Sequence, residues 1–198
     1  KTHPHIAATL KEIPRDQVVI TSKTMSRDAA GVRADLERFR KEMNTDYIDI
    51  VLLHCLTDGN WREKMKGPMD VLSEAKEKGI IRAHGCSCHT LAALQAAADE
   101  PWVDIDLARL NPFAEKMDVE RPEDVPKVVE VLRKMHERGK AVYAMKIVGE
   151  GAFKGDRIDE SLRFVLSQPY VSGFTIGFAN QEELDDMIRR MERIRVPA

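Results

Sequence analysis

The run Ile48-Asp49-Ile50-Val51-Leu52-Leu53-His54 decides how the rest of the chain is read. Its apolar residues follow one another instead of alternating, as in a strand buried on both faces, and a histidine closes it. Two neighbouring runs have the same form. Val18-Val19-Ile20-Thr21-Ser22-Lys23 closes on a lysine, and Ile81-Arg82-Ala83-His84-Gly85-Cys86-Ser87 closes on a serine. Strands are therefore predicted at 18–22, 48–53 and 81–87, and further β-rich runs at 103–111, 141–146 and 171–176 add three more.

Helical spacing fills the gaps. Val32, Leu36, Phe39 and Met43 form one stripe on 27–43, for which Ser26 is the expected N-cap. Met65, Met69 and Leu72 form another on 62–78. Val125, Val128, Val129, Leu132 and Met135 make a wider stripe on 122–138, and Leu184, Met187, Ile188 and Met191 one near the end. Gly79 and Gly139 each follow a basic helix end and precede a strand, the usual chemistry of a C-cap. The Glu/Arg-rich end, 189–195, reads as a solvated helix face. Strands alternating with helices predict an α/β fold with a parallel sheet.

Composition narrows the function classes. The chain has 198 residues, 43% hydrophobic and 32% charged, with a formal net charge of −2. A near-neutral balance argues against a general grip on nucleic acid, which needs a basic face. No stretch approaches the ~18 apolar residues of a membrane helix, and the first five residues lack the apolar core of a secretion signal. Three cysteines make no disulfide framework. A cytoplasmic monomer or weak oligomer, touching neither nucleic acid nor membrane, is the expectation.

Lys23, His54 and Ser87 each stand at the C-terminal end of a predicted strand, where α/β folds gather their active sites. A doubly wound sheet would place a glycine-rich phosphate turn after its first strand, but Thr21-Ser22-Lys23-Thr24-Met25 has no glycine. A complete eight-unit barrel needs ~250 residues.

The choice between them comes from resemblance. The blocks Ile13-Pro14-Arg15-Asp16-Gln17-Val18-Val19-Ile20-Thr21-Ser22-Lys23-Thr24, Thr45-Asp46-Tyr47-Ile48-Asp49-Ile50-Val51-Leu52-Leu53-His54 and Lys78-Gly79-Ile80-Ile81-Arg82-Ala83-His84-Gly85-Cys86-Ser87 resemble the aldo/keto reductase family. Asn111-Pro112-Phe113 and Thr175-Ile176-Gly177-Phe178 resemble its later strand ends. The resemblance implies a (β/α)8 TIM barrel, with residues 1–198 as a single N-terminally incomplete barrel domain whose strands are the third to the eighth. It implies hydride transfer between a nicotinamide cofactor, NADP or NAD, and a small carbonyl substrate. His54 would orient the carbonyl, and Lys23 would support a catalytic tyrosine standing, with its aspartate, before Lys1. A cation within ~4–6 Å of a phenol favours the phenolate and eases proton transfer.

Further positions carry over from the family for the cofactor. Ser87 and Asn111 match residues reaching the nicotinamide, although Cys88 replaces the usual asparagine after Ser87 and Leu107 an often-found glutamine. Gly177, Phe178 and Asn180 open the last helix, whose first N–H groups suit a pyrophosphate. Lys146, by contrast, closes the 141–146 strand where many relatives have an uncharged residue; it would meet a cofactor phosphate or an acidic substrate, or stand as a solvated lysine on the rim. The helix start Gln181-Glu182-Glu183 has no cation for a 2′-phosphate, so these residues do not favour NADP over NAD.

Other readings stay open. His84, Cys86, Cys88 and His89 offer imidazoles and thiols for a soft metal, although no Cys-x-x-Cys spacing is present and a metal-free protein is the expectation. A cofactor-binding redox sensor or subunit on the same barrel is the non-catalytic alternative. Trp61 is expected in a loop after His54, either lining a pocket or capping the barrel rim. Tyr47, Tyr143 and Tyr170 are all out of register with the family's tyrosine.

Overall fold

The computed structural model describes residues 2–194; Lys1 and the predicted helix-face residue Arg195 lie outside the described residues. Six strands alternate with helices: β1 (Thr21–Thr24), β2 (Ile48–Leu56), β3 (Ile81–Cys88), β4 (Ile105–Arg109), β5 (Ala141–Met145) and β6 (Gly173–Phe174). The helices are α1 (His3–Thr9), α2 (Ala29–Met43), α3 (Trp61–Lys64), α4 (Lys66–Glu77), α5 (Leu91–Asp99), α6 (Val125–Glu137), α7 (Asp156–Leu166) and α8 (Gln181–Arg193). All strand pairs are parallel, and the sheet runs in chain order from β1 to β6.

That order never reverses, which excludes a doubly wound sheet. The two faces also differ. One buried cluster joins the helix stripes to the outward strand residues, among them Val51, Leu53, Ala108 and Val142. The other consists of strand residues alone: Ile50, Leu52, Ile105, Leu107 and Met145, with Ala83, Ala141 and Tyr143 packed on it. Helices on one face and a strand-only filling on the other are the wall of a (β/α)8 barrel, of which six consecutive units are seen. Among the described residues no helix is long and apolar enough to cross a membrane.

Local chemistry shifts several predicted boundaries. β1 starts at Thr21 instead of 18, because Ile20 gives its N–H to the Asp49 carboxylate at 2.8 Å and Val19 points to solvent. The N-cap of α2 is Asp28, which accepts from the Gly31 N–H at 2.8 Å; Ser26 instead donates to Asp35. The predicted helix 62–78 divides at Met65, because Pro68 lacks an N–H and crowds the carbonyl four residues back. Trp61 is a buried first residue of α3, its Nε1 donating to the Ala93 carbonyl, so the loop position expected for it is corrected. Gly79 and Gly139 take positive φ, as their C-cap role requires.

At the N-terminal ends of the strands Asp49 ties three segments together. Its carboxylate accepts from Ile20, from Arg15 at 2.6 Å and from Arg82 at 3.0 Å. Both guanidiniums also lie over the Tyr47 ring. Tyr47 is thus a structural anchor at the end of the sheet away from the candidate site.

Candidate active site

Side chains alternate across a strand, so the parity of the inner cluster also carries Lys23, His54, Ser87 and Arg109 to the inner face. Lys23 pairs in register with Leu52, two residues before His54 on the adjacent strand. It lines a hollow of about 390 Å³ with Leu107, Met145, Lys146, Thr175 and Gly177. Burial and the neighbouring Lys146 charge lower the pKa of the Lys23 ammonium.

His54 sits where β2 leaves regular pairing. The register with β3 slips between Leu53 and Leu56, and Cys55 adopts a left-handed φ of 57°. A cysteine there is strained, and the neighbouring structure must hold it. Arg27 does so: its Nη2 donates to the His54 carbonyl at 2.7 Å and reaches that of Cys55 at 3.4 Å, while Nη1 donates to Met25. The imidazole of His54 stands edge-on to that of His89, centroids 5.6 Å apart. Its Nδ1 is buried without a partner. Burial, then the charges of Lys23, Arg27 and Lys146, hold His54 below the usual histidine range. His89 is pushed down to about 4 by burial and by Arg109, His54 and the same lysines. The result is a cation-rich mouth containing two neutral imidazoles.

The cofactor candidates differ in how free they are. Ser87 is fully buried, its Oγ 3.5 Å from His89 Nε2. Asn111 is engaged on every side: Nδ2 donates to the carbonyls of Glu115 and Lys146, and Oδ1 accepts from Phe113 and Glu115. It braces the loop after β4 against the end of β5. Lys146 has a φ of 62°, and its ammonium pairs with Glu150. Asn180 caps α8 by accepting from the Glu183 N–H at 2.9 Å, and Glu183 returns its carboxylate to the Ala179 N–H at 2.8 Å. That capping box uses N–H groups that the sequence suggests for a phosphate. Gly177, Phe178 and Ala179 wall a second groove, of about 670 Å³, with Lys154 and Arg190. The two hollows share Val148, Glu150, Gly151, Ile176 and Gly177, so they adjoin between Lys23 and the start of α8.

The soft-metal quartet suggested by sequence does not assemble. His84 stacks on Trp102 at 4.2 Å, beside Asp104, while His89 faces the mouth. Cys86 and Cys88 do come together on the outer face, and Asp106 joins them. Sequence reasoning missed Asp106, Arg27 and the buried pair of Arg109 with Asp118. Asp118 in that pair is held up by burial despite the guanidinium beside it. None of these residues belongs to a spacing pattern; each is defined by a neighbour distant in the chain.

Comparison with known proteins follows the same line. The aldo/keto reductase family model matches residues 4–161. The chain is 27% identical over 114 residues to the methylglyoxal reductase DkgB of Salmonella typhi, a match covering 54% of this chain and 42% of that protein. It is 30% identical over 89 residues to the DkgB of Salmonella typhimurium, covering 43% and 32%. The matches thus span less than half the length of these curated relatives. The holo form of an aldo-keto reductase from Bacillus halodurans superposes with a TM-score of 0.78 at 16% identity, covering 99% of this chain and 73% of that one. The parallel barrel wall, the histidine at the bulge near the end of its second strand and the family match over most of the sequence all agree: this chain belongs to the aldo/keto reductase family.

Proposed function

We propose that the protein is an oxidoreductase that reduces an aldehyde or ketone to an alcohol at the mouth formed by Lys23 and His54, with NADP or NAD as hydride donor. The observation that carries this reading is His54 and Lys23 on the inner face of adjacent parallel strands, Lys23 in register with Leu52 two residues before His54, beside the hollow that Lys23 shares with Lys146 and Gly177. The walls suit such a cofactor: Lys154 offers a cation, Lys146 one that Glu150 would have to release, and the backbone at Gly177 is open, with nothing within 4 Å of where a Cβ would stand. When bound, a nicotinamide cofactor supplies the hydride.

The chain's own residues orient and polarise the carbonyl. A buried N–H without a partner costs more than a buried lone pair, so the His54 proton belongs on Nε2, facing the mouth. From there it donates to the substrate carbonyl oxygen and fixes the carbonyl plane. The low pKa keeps His54 a neutral donor at physiological pH. Lys23 places positive charge where the carbonyl oxygen becomes an alkoxide, stabilisation that gains strength away from water. By family resemblance it would also lower the pKa of a tyrosine that gives the alkoxide its proton, a role that Tyr47, Tyr143 and Tyr170 do not match in register. His89, Ser87 and Asn111 hold the shape of the mouth, with Ser87 and Asn111 beside the nicotinamide end. Gly177, Phe178 and Asn180 flank the phosphate end. The named activity of the DkgB relatives makes small 2-oxoaldehydes the first substrates to try.

The test is fluorescence titration of both reduced nicotinamide cofactors, with turnover, on the intact protein and on His54→Ala. The variant is expected to keep cofactor affinity and lose about 10²–10⁴-fold in turnover. Failure of the intact protein to bind either cofactor, or full turnover by the variant, overturns the reading. Binding without turnover in both forms supports the redox-sensor alternative.

A further inference from the structure

On the helix-covered face, remote from the mouth by strand parity, Cys86 and Cys88 project side by side from β3, and Asp106 of β4 stands opposite Cys86 in register. All three have no exposed surface. The two Sγ atoms are 3.8 Å apart, Cys86 Sγ lies 3.0 Å from Asp106 Oδ2, and one donor atom from each residue falls within 4.8 Å of the others. Asp106 Oδ1 is buried with no hydrogen-bond partner. A carboxyl oxygen sealed away from water and left unsatisfied calls for an occupant that the protein's own donors do not supply.

We propose that Cys86, Cys88 and Asp106 form a closed structural site for one thiophilic cation, zinc by its donor set. With Zn–S bonds of about 2.3 Å, the S···S edge of a tetrahedron is about 3.8 Å, the spacing these thiols already have. Sulfur and carboxylate edges come to about 3.5 Å, so the Cys86–Asp106 pair opens by about half an ångström. Asp106 binds through both oxygens, which uses the orphaned Oδ1 and, because the carboxylate bite is narrow, gives a four-coordinate site distorted from the tetrahedron at its oxygen side. Two thiolates and a carboxylate carry three negative charges, balanced by a divalent ion and the neighbouring Lys140. That ammonium is buried, anchored to the carbonyls of Glu100 and Val103. Burial, reinforced by Asp106 and opposed by Cys88 and Lys140, pushes Cys86 up to about 12, so the thiols enter the site protonated, and cation binding releases their protons to solvent.

The experiment is elemental analysis of intact protein purified without chelators, then cobalt(II) substitution and thermal unfolding with and without a strong chelator. The expected result is one zinc per chain, a thiolate-to-cobalt absorption band, and a melting temperature that falls on chelation. Cys86→Ser and Asp106→Asn lose the metal, while Cys55→Ser keeps it. If a site variant does not fold, the wild-type zinc content and cobalt spectrum decide. Wild-type protein with no zinc, three freely titrating thiols in denaturant and no cobalt–thiolate band overturns the proposal, as does an Asp106→Asn protein that melts no lower than wild type.

Discussion

An imidazole with one nitrogen walled off by protein can donate only from the other, and His54 is in that position. Its low pKa has nameable sources, so it can be moved. Lys146→Met removes one of the three cations pressing on the ring and raises the His54 pKa toward the usual ~6.5, read by NMR titration of the imidazole. A shift downward or none would contradict the electrostatic account. The same depression predicts a sign for stability. Between the folded pKa and ~6.5 the unfolded chain binds more protons, so the His54 contribution is complete above pH 6.5 and fades as pH falls toward the folded value. Denaturant unfolding of wild type and His54→Gln from pH 7 to 5 checks it: wild type loses more stability on acidification. His54 was legible because it closes an unmistakable buried strand. Arg27 was not, because it acts on backbone carbonyls of a bulge that no side-chain pattern announces. Asn111 was legible as a residue worth noticing, but its four hydrogen bonds to the surrounding loops depend on the fold.

At the scale of elements, the long amphipathic stripes of α2 and α6 and the run of β2 could be read directly, since burial there follows periodicity. The short strands at the rim could not. β6 keeps only Gly173 and Phe174 of the predicted 171–176, because its ladder with β5 holds only there. Gly85 shows how closely β3 and β4 approach: a Cβ at that position would lie 1.8 Å from the Ile105 carbonyl oxygen. Gly85→Ala therefore forces the two backbones apart and is expected to destabilise by about 4 kcal/mol or more, measured by urea unfolding. At the opposite rim, Glu183→Ala frees the Ala179 N–H from the capping box. It should weaken α8 by about 0.5–1 kcal/mol and tighten cofactor binding, because a carboxylate no longer competes with the phosphates. Titration calorimetry on the variant reads both the sign and the size.

Across the whole molecule the two ends of the sheet have separate duties. The Asp49 knot with Arg15, Arg82 and the Ile20 N–H secures the N-terminal ends of three strands. The C-terminal ends carry the mouth, the usual division of labour in a β/α barrel. Asp49→Ala leaves the buried Ile20 N–H unpaired and removes a charged acceptor of Arg15, and should cost about 2–3 kcal/mol, while cofactor affinity of the folded fraction stays unchanged. The barrel wall itself was readable from strand–helix alternation together with family resemblance, whereas the knot depends on charges brought together from 34 residues apart. The central claim is that hydride passes at the Lys23–His54 mouth. The most direct measurement follows turnover with a cofactor deuterated at the transferable C4 position, using mass analysis of the alcohol product. The account predicts one deuterium on the former carbonyl carbon with wild-type protein and a rate lower by orders of magnitude with His54→Ala. Unlabelled product, or labelling that His54→Ala does not slow, would contradict it.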